Sequence, residues 1–471
     1  LAGRAARLAG GPAHLAPLTA PGADGAPPRA APAPAPAPGQ MTLAVEGAPP
    51  ARFFETRLAL GVGCARGCPP EALAELAAAA LAEAGADPAA LAAIGSLDLK
   101  ADEAAVGALA RALGRELRLF TAEELERERD RLASPSETVF AEVGCHGVAE
   151  GAALALAGPR ARLILPKRKN AVATAALAAA PAPILALSGR ARGRLAVVGL
   201  GPGAADWRTP EASRLIAEAE ELVGYGLYLD LLGPAARGKA RRAFPLGAER
   251  ERCAYALERA GEGRSVALIS SGDAGIYAMA ALVLELLDPD TADGASDAAR
   301  RAELTIAPGI TAMQAAAARA GAPLGHDFCA ISLSDLLTPR ATILARVRAA
   351  AAGDFVIAFY NPVSQRRRTL LAEAREILIA ARGGAAPVLL AADLGRPAER
   401  LRARSLETLD VDEVDMLTTV LVGARGSRFF ATGDHAAGAE GRRLYTPRGY
   451  AAKPGGAGGA GDGRTGSEDG A

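Results

Sequence analysis

Four short turns carry the residues whose types and spacing could do chemistry. They are "GLGPG" (199–203), "SSGDAGIYAMA" (270–280), "PGITAMQ" (308–314) and "FYNPVSQRRR" (359–368), and each follows an apolar, strand-like run. Glycine lets a backbone approach a ligand closely, and serine, threonine and aspartate offer oxygens. Forked guanidiniums suit carboxylates, so the arginines at 366–368 are candidates for gripping an acidic substrate. A solvated basic helix start explains that run equally well. In an open α/β sheet, ligands bind where the strands end in such turns. Any one of these turns alone is also an ordinary loop, but four on one sheet edge are harder to dismiss.

The first turn invites a dinucleotide reading, because "GLGPGA" fits G-x-G-x-x-A. Two features argue against it. A pyrophosphate needs a helix that starts inside the glycine turn, whereas here Pro202 interrupts and "AADWRTPEA" follows. The better helix start is Thr209 as N-cap, then Pro210 and Glu211. The acidic residue expected about 20 positions on has only "EAEEL" to supply it, which suits a solvated helix face.

The elements that must position these turns follow from the apolar pattern. At 471 residues the chain should hold two or three domains. Residues 1–54, built from Ala, Pro and Gly, read as a disordered tether, and 451–471 as a disordered tail. A first α/β unit spans 55–185: "RLALGVGC", "LAAIGSLDLK", "ELRLFT" and "ARLILPKRKN" are strands, and "PPEALAELAAAALAEAG" and "DEAAVGALARALG" are helices. Residues 186–193 form a linker, and a second α/β unit covers 194–450.

The bulk numbers exclude some classes. Lysine plus arginine and aspartate plus glutamate both total 53, so nothing pulls the chain as a whole toward nucleic acid or an anionic membrane. No apolar run reaches the ~18 residues of a membrane span. The start lacks Met and a long apolar core, and reads as neither signal peptide nor certain chain start. The odd, scattered set of Cys64, Cys68, Cys145, Cys253 and Cys329 reads as reduced and cytoplasmic. Cys64 and Cys68 with Cys145 and His146 are a conceivable metal cluster, but the four-residue step is not C-x-x-C, and no metal is expected.

The order and spacing of "GLGPG", "SSGDAGIYAMA", "PGITAMQAAAARAGAPLGHDF", "ISLSDLLTP" and "FYNPVSQRR" resemble the tetrapyrrole methylases, the class III S-adenosylmethionine methyltransferases. The last three motifs look most like the branch that methylates carbon 17 of a precorrin. The resemblance covers 194–450 and implies two α/β subdomains, 194–312 and 313–450, around a cleft, usually in a homodimer. It implies that S-adenosylmethionine is held by Gly272, Asp273, Ala274, Gly275, Ile276, Thr311, Ala312, Phe359, Tyr360 and Asn361. The tetrapyrrole, metal-free or cobalt-bearing, would meet Gly201, Pro202, Gly203, Arg366 and Arg367. Methylation in that branch accompanies ring contraction, for which His326, Asp206, Tyr360 and Asp273 are proton-transfer candidates. His326 is as readily a packed structural histidine.

The first unit separately resembles the C-terminal domain of the cobalamin biosynthesis protein CbiG, or its stand-alone relative CobE, over about 57–180. Its matching residues are Gly61, Gly63, Cys64, Arg66, Asp98, Lys100, Asp102, Glu103, Lys167, Lys169 and Thr174. The lysines could meet tetrapyrrole carboxylates, or form a surface salt-bridge set. The two resemblances imply one pathway: a methyltransferase with an accessory or channelling domain, with other enzymes of that pathway as candidate partners. The alternatives are a tetrapyrrole carrier without catalysis, and a methylase acting at another macrocycle position.

Overall fold

The computed structural model describes residues 6–9, 40–45, 51–364, 367–433 and 438–450. The chain clusters into two compact units: Leu1–Leu195 with Ala254–Val266 and Pro289–Leu304, and Ala196–Cys253 with Ala267–Asp288 and Thr305–Ala471. No single helix among the described residues is long and apolar enough to cross a membrane.

The stretch expected to be a disordered tether contributes three short strands, Ala6–Ala9, Gln40–Val45 and Ala51–Phe54, paired antiparallel. Their segments "ARLA", "QMTLAV" and "ARFF" break the Ala/Pro composition with β-favouring residues. The other residues before Ala51, and the tail 451–471, lie outside the described residues.

In the first unit a mixed five-stranded sheet runs Glu116–Phe120, Leu91–Leu97, Leu58–Cys64, Ala173–Ala179, Arg162–Lys169. The first three strands are parallel, and the last two run antiparallel to their neighbours. Strand alternation sends Leu60, Val62, Ala175 and Leu177 to one face, where they join Leu73 and Ala77 of the helix Pro70–Glu83 and Val106 and Leu109 of the helix Ala104–Leu113. The other face shows Ala59, Ala93 and Ala178 to Ala152, Ala153 and Leu156 of the helix Val148–Ala157. Small residues let that helix lie directly on the sheet. A Cβ at Gly61 would stand 1.9 Å from the Ala149 carbonyl oxygen, and one at Gly95 2.9 Å from that of Ala152. Gly61 is thus a packing glycine.

The stretch 186–193, expected to be a linker, is a strap over its first half. Arg118 donates to the carbonyls of Ser188 (3.1 Å) and Gly189 (2.5 Å), Ser188 Oγ donates to Ala155 O (2.8 Å), and Arg190 bridges to Leu119 and Asp98.

The second unit is built on two five-stranded sheets. The first runs Ala240–Phe244, Glu221–Tyr225, Ser265–Ser270, Arg194–Gly199, Glu303–Ala307. The second runs Phe328–Ser332, Val356–Tyr360, Thr418–Val422, Pro387–Ala392, Arg400–Ser405, with only the first pair parallel. Ile343, Val347, Leu371 and Leu378 of the helices Arg340–Ala352 and Thr369–Arg382 cover one face of the second sheet, and Met313 and Ala316 of the helix Ala312–Ala320 cover the other. The helix expected after the first glycine turn begins at Pro210, with Thr209 Oγ1 accepting from Ala212 N at 3.1 Å.

Replacing Gly61 by Ala should destabilise the first unit by about 2 kcal/mol or more, the upper part of the range for overpacking a core. Hydrogen exchange should accelerate across residues 58–179 and not in the second unit. Unchanged exchange there would contradict the close helix–sheet contact.

Candidate functional site

Three of the four turns pack backbone against backbone. Gly201 N donates to Gly272 O (3.1 Å), and Gly272 N to Gly201 O (2.8 Å). A Cβ at Gly199 would lie 2.6 Å from Gly272 O, and one at Gly309 would lie 2.1 Å from Gly272 O and 2.7 Å from Gly199 O. No side chain fits at those positions. Gly201 and Gly272 also hold left-handed φ of 82° and 69°. Asp273 staples the assembly: Oδ1 accepts from Gly275 N (2.8 Å) and Oδ2 from Gly309 N (3.0 Å).

Beside these turns lies a cavity of about 180 Å³. Pro202, Gly272, Asp273, Ile276, Thr311, Ala312, Tyr360 and Asn361 line it, all singled out from sequence. Ser271, one of the oxygens the second turn offers in sequence, lines it too, and Tyr228, Tyr277, Asp393, Arg396 and Thr419 line it as well, and were not singled out. The second sheet reaches the cavity through the carboxyl end of Val356–Tyr360, the turn after Pro387–Ala392 and the start of Thr418–Val422.

Tyr360 ties this edge together. Its hydroxyl accepts from Met313 N (3.0 Å), capping the helix Ala312–Ala320, and it pairs with the Thr311 hydroxyl. Burial pushes its pKa above the usual phenol value, so the group stays neutral and serves as a hydrogen-bonding post. Its ring lies 5.2 Å from that of Tyr277, whose own hydroxyl donates to Ala330 O at 2.9 Å. Six described non-glycine residues have positive φ, and Tyr277 (50°), Asn361 (49°) and Asp393 (52°) all line this cavity. Backbone strain concentrated at one cavity is a mark of a functional site.

The remaining expected residues fall elsewhere. Phe359 is 1% exposed and packed in the core. Ala274 is fully buried, and Gly275 contributes its N–H to Asp273. Gly201 and Gly203 stand behind Pro202: a Cβ on Gly201 would meet Trp207 O at 2.8 Å, and one on Gly203 would meet Arg396 Cγ at 2.7 Å. Asp206 is exposed in the short helix Ala205–Trp207, away from the cavity lining. His326 is exposed and 3.4 Å from Asp327, before the amino end of Phe328–Ser332. Ser332 pairs with Tyr360 at that strand's other end, about 13–16 Å away for five residues. Arg367 donates to Leu333 O (3.0 Å) and faces Asp335 (3.5 Å), and Arg368 binds Val411 O and Asp412. Arg366 lies outside the described residues.

In the first unit Arg66 pairs with the expected acids, and Lys167 binds backbone. Arg66 donates to Asp102 (2.7 Å) and Leu99 O (3.1 Å), Gly67 N donates to the buried Glu103 (3.0 Å), and Thr174 Oγ1 donates to Gly63 O (3.2 Å). Lys167 Nζ donates to Ser134 O (3.2 Å). Sequence reasoning missed Glu150, 1% exposed, whose carboxylate accepts from Ala133 N, Ser134 N and Lys167 N. Burial pushes the Cys64 thiol up to about 12, against the pull of Lys100, so it is no nucleophile at neutral pH. His146 is 2.9 Å from Glu126 and stacked on Phe140, and among the described residues no group of three or more His, Cys, Asp or Glu could hold a metal.

The family described as Tetrapyrrole (Corrin/Porphyrin) Methylases matches residues 194–410, and that described as Cobalamin synthesis G C-terminus matches 58–178. A precorrin-3B C(17)-methyltransferase from Sinorhizobium sp is 44% identical over 259 residues, 55% of this chain and 98% of the relative. A probable cobalt-factor III C(17)-methyltransferase from Salmonella typhimurium is 42% identical over 256 residues, 54% of this chain and 99% of the relative. Among solved structures, that of the methyltransferase CobJ is 40% identical and covers 54% of this chain and 100% of its own, with a TM-score of 0.49.

An Asp273→Asn variant keeps one acceptor and turns an amide N–H₂ toward the other backbone donor. Stability should fall by about 1–3 kcal/mol, and amide exchange should rise at Gly275 or Gly309. Wild-type protection at both amides would show that the carboxylate is not the staple.

Proposed function

Because the chain belongs to the tetrapyrrole (corrin/porphyrin) methylase family, we propose that it transfers a methyl group from S-adenosylmethionine to carbon 17 of precorrin-3B, with contraction of the macrocycle, in cobalamin biosynthesis. The observation that carries this reading is the 44% identity along 98% of the Sinorhizobium enzyme. The Salmonella relative's name keeps the cobalt-bearing counterpart as a second substrate.

The cavity fits such a cofactor. Gly272, at positive φ, leaves a cradle with no atom closer than 3.7 Å to where a Cβ would stand. The carboxylate of Asp273 and the ring faces of Tyr277 and Tyr360 suit a cation. S-adenosylmethionine, when bound, supplies a methyl group already activated on a sulfonium. The chain's own residues then have to hold and align the partners and keep water out. Gly272, Ile276, Thr311, Ala312 and Asn361 hold the cofactor, and Pro202 lies toward the substrate. Both oxygens of Asp273 already accept backbone N–H groups, so it orients and does not shuttle protons. Tyr360, with Thr311 and Met313 as partners, is the remaining expected proton-transfer group at the cavity.

The first unit acts in the same pathway as an accessory domain, supported by its match to Cobalamin synthesis G C-terminus. A homodimer and a cytoplasmic location belong to the same reading. The test incubates the full chain with S-adenosylmethionine and precorrin-3B, with cobalt-factor III in parallel. The expected product carries one added methyl group on a contracted ring, read by mass and absorbance. Tetrapyrrole binding without methyl transfer would favour the carrier, and methylation without contraction would place the reaction at another carbon.

A further inference from the structure

Arg396 is a charged side chain whose stem is closely packed and whose guanidinium makes no hydrogen bond among the described residues, only a loose ion pair with Asp393. It lines the cavity, and its side chain is 13% exposed. Its Nε is buried without any hydrogen bond, and its nearest carboxylate, Asp393, stands 3.9 Å from the guanidinium, beyond hydrogen-bonding distance. Asp393 is shared with Arg400 at 3.7 Å, so two guanidiniums face one carboxylate. The other acid of this turn, Glu399, is spent on Arg319 (2.8 Å) and Gly395 N (2.6 Å). The stem packs against the first glycine turn, where a Cβ on Gly203 would approach Arg396 Cγ to 2.7 Å. Asp393 holds a left-handed φ of 52°, and Arg396 N closes the turn on Asp393 O at 3.0 Å. A mostly desolvated guanidinium held only by a long, shared ion pair and without hydrogen bonds is costly to a fold unless something else completes it.

Resting on the methyl-transfer reading, we propose that Arg396 is a binding residue for a ligand carboxylate, and that Gly203 is small in order to seat the Leu394–Arg396 turn that carries it, whose Leu394 and Gly395 carbonyl oxygens would also lie within 3.1 Å of a Cβ there. A guanidinium fork matches a carboxylate through two parallel N–H···O bonds. The carboxylate comes either from the amino-acid end of the cofactor or from an acidic side chain of the macrocycle. The arginine run at 366–368, the sequence-level candidate for this task, spends its described members on Leu333, Asp335, Val411 and Asp412.

The test uses the full chain with Arg396→Met, Arg396→Lys and Gly203→Ala. S-adenosylhomocysteine and its decarboxylated analogue are titrated by calorimetry, and KM and kcat are measured with precorrin-3B. If the carboxylate is the cofactor's, Arg396→Met weakens S-adenosylhomocysteine about tenfold or more and leaves the decarboxylated analogue unchanged. If it is the macrocycle's, S-adenosylhomocysteine binds as before, and KM for precorrin-3B rises by a similar factor with kcat less affected. In either case Arg396→Lys recovers part of the loss, and Gly203→Ala shows the same selective defect. The unliganded Arg396→Met chain should melt no lower than wild type, since no hydrogen bond is lost. Ligand binding and KM within twofold of wild type overturn the proposal, as does a melting temperature several degrees lower, which would make Arg396 a structural pin. A wild-type chain that binds S-adenosylhomocysteine but methylates neither substrate sinks the methyl-transfer reading instead, and the calorimetric arm still decides Arg396.

Discussion

The Gly272 carbonyl, crowded between Gly199 and Gly309, is the contact on which the second unit's site depends. Backbone approaches this close leave no room for a Cβ at either neighbour. They hold the ends of the strands Arg194–Gly199, Ser265–Ser270 and Glu303–Ala307 in one fixed arrangement. Asp273 then closes the turn with both of its oxygens. The second sheet is tied in by two phenols: Tyr360, at the end of its strand, caps the helix that starts in the third turn, and Tyr277 of the second turn donates to Ala330 O. A cavity wall made this way has little freedom to rearrange. That suits a reaction in which the reagent is already activated and geometry is the main thing the protein supplies.

The first unit uses the same economy for a different end. Ala59, Gly61, Ala93, Gly95 and Ala178 strip one sheet face of bulk, and the helix Val148–Ala157 settles onto it. An alanine-rich core would be poor if its layers kept ordinary spacing, because small side chains would leave voids. Drawing the helix backbone to the sheet removes those voids. A glycine between an apolar strand and a turn therefore has two readings, ligand approach or helix approach, and at Gly61 the second holds.

Much of the fold was legible because its signals are local. Thr209-Pro210-Glu211 starts a helix by capping chemistry, and strands such as "SVALIS" and "DFVIAFY" are apolar runs that end in turns. The cavity residues of 272–276, 311–312 and 360–361 were legible through motif order. What was not legible depends on partners distant in sequence. His326 and Asp206 carry suitable groups, but strand direction and turn exposure carry them away from the cavity. Phe359 and Tyr360 are adjacent, and strand alternation sends one into the core and the other to the site. Glu150 sits unremarkably in a helical alanine run, and its three backbone donors come from two separate segments.

The first glycine turn shows how such distant partners change a motif's meaning. As a sequence it matches a phosphate cradle, yet each glycine has a different neighbour to accommodate. Gly199 yields to Gly272, Gly201 to the Trp207 carbonyl, and Gly203 to the stem of Arg396. Only Pro202 among 199–203 reaches the cavity. The turn therefore contacts a ligand little itself, and works by clearing space for groups brought from about 70 and 190 positions downstream, at Gly272 and Arg396. A tripled arginine run is conspicuous in sequence because basic residues cluster, but clustered charge repels and seeks separate partners, as Arg367 and Arg368 do. A lone arginine in a turn has no such signature. Its claim to a ligand comes from a buried guanidinium left without a hydrogen bond among the described residues, which only the folded chain reveals.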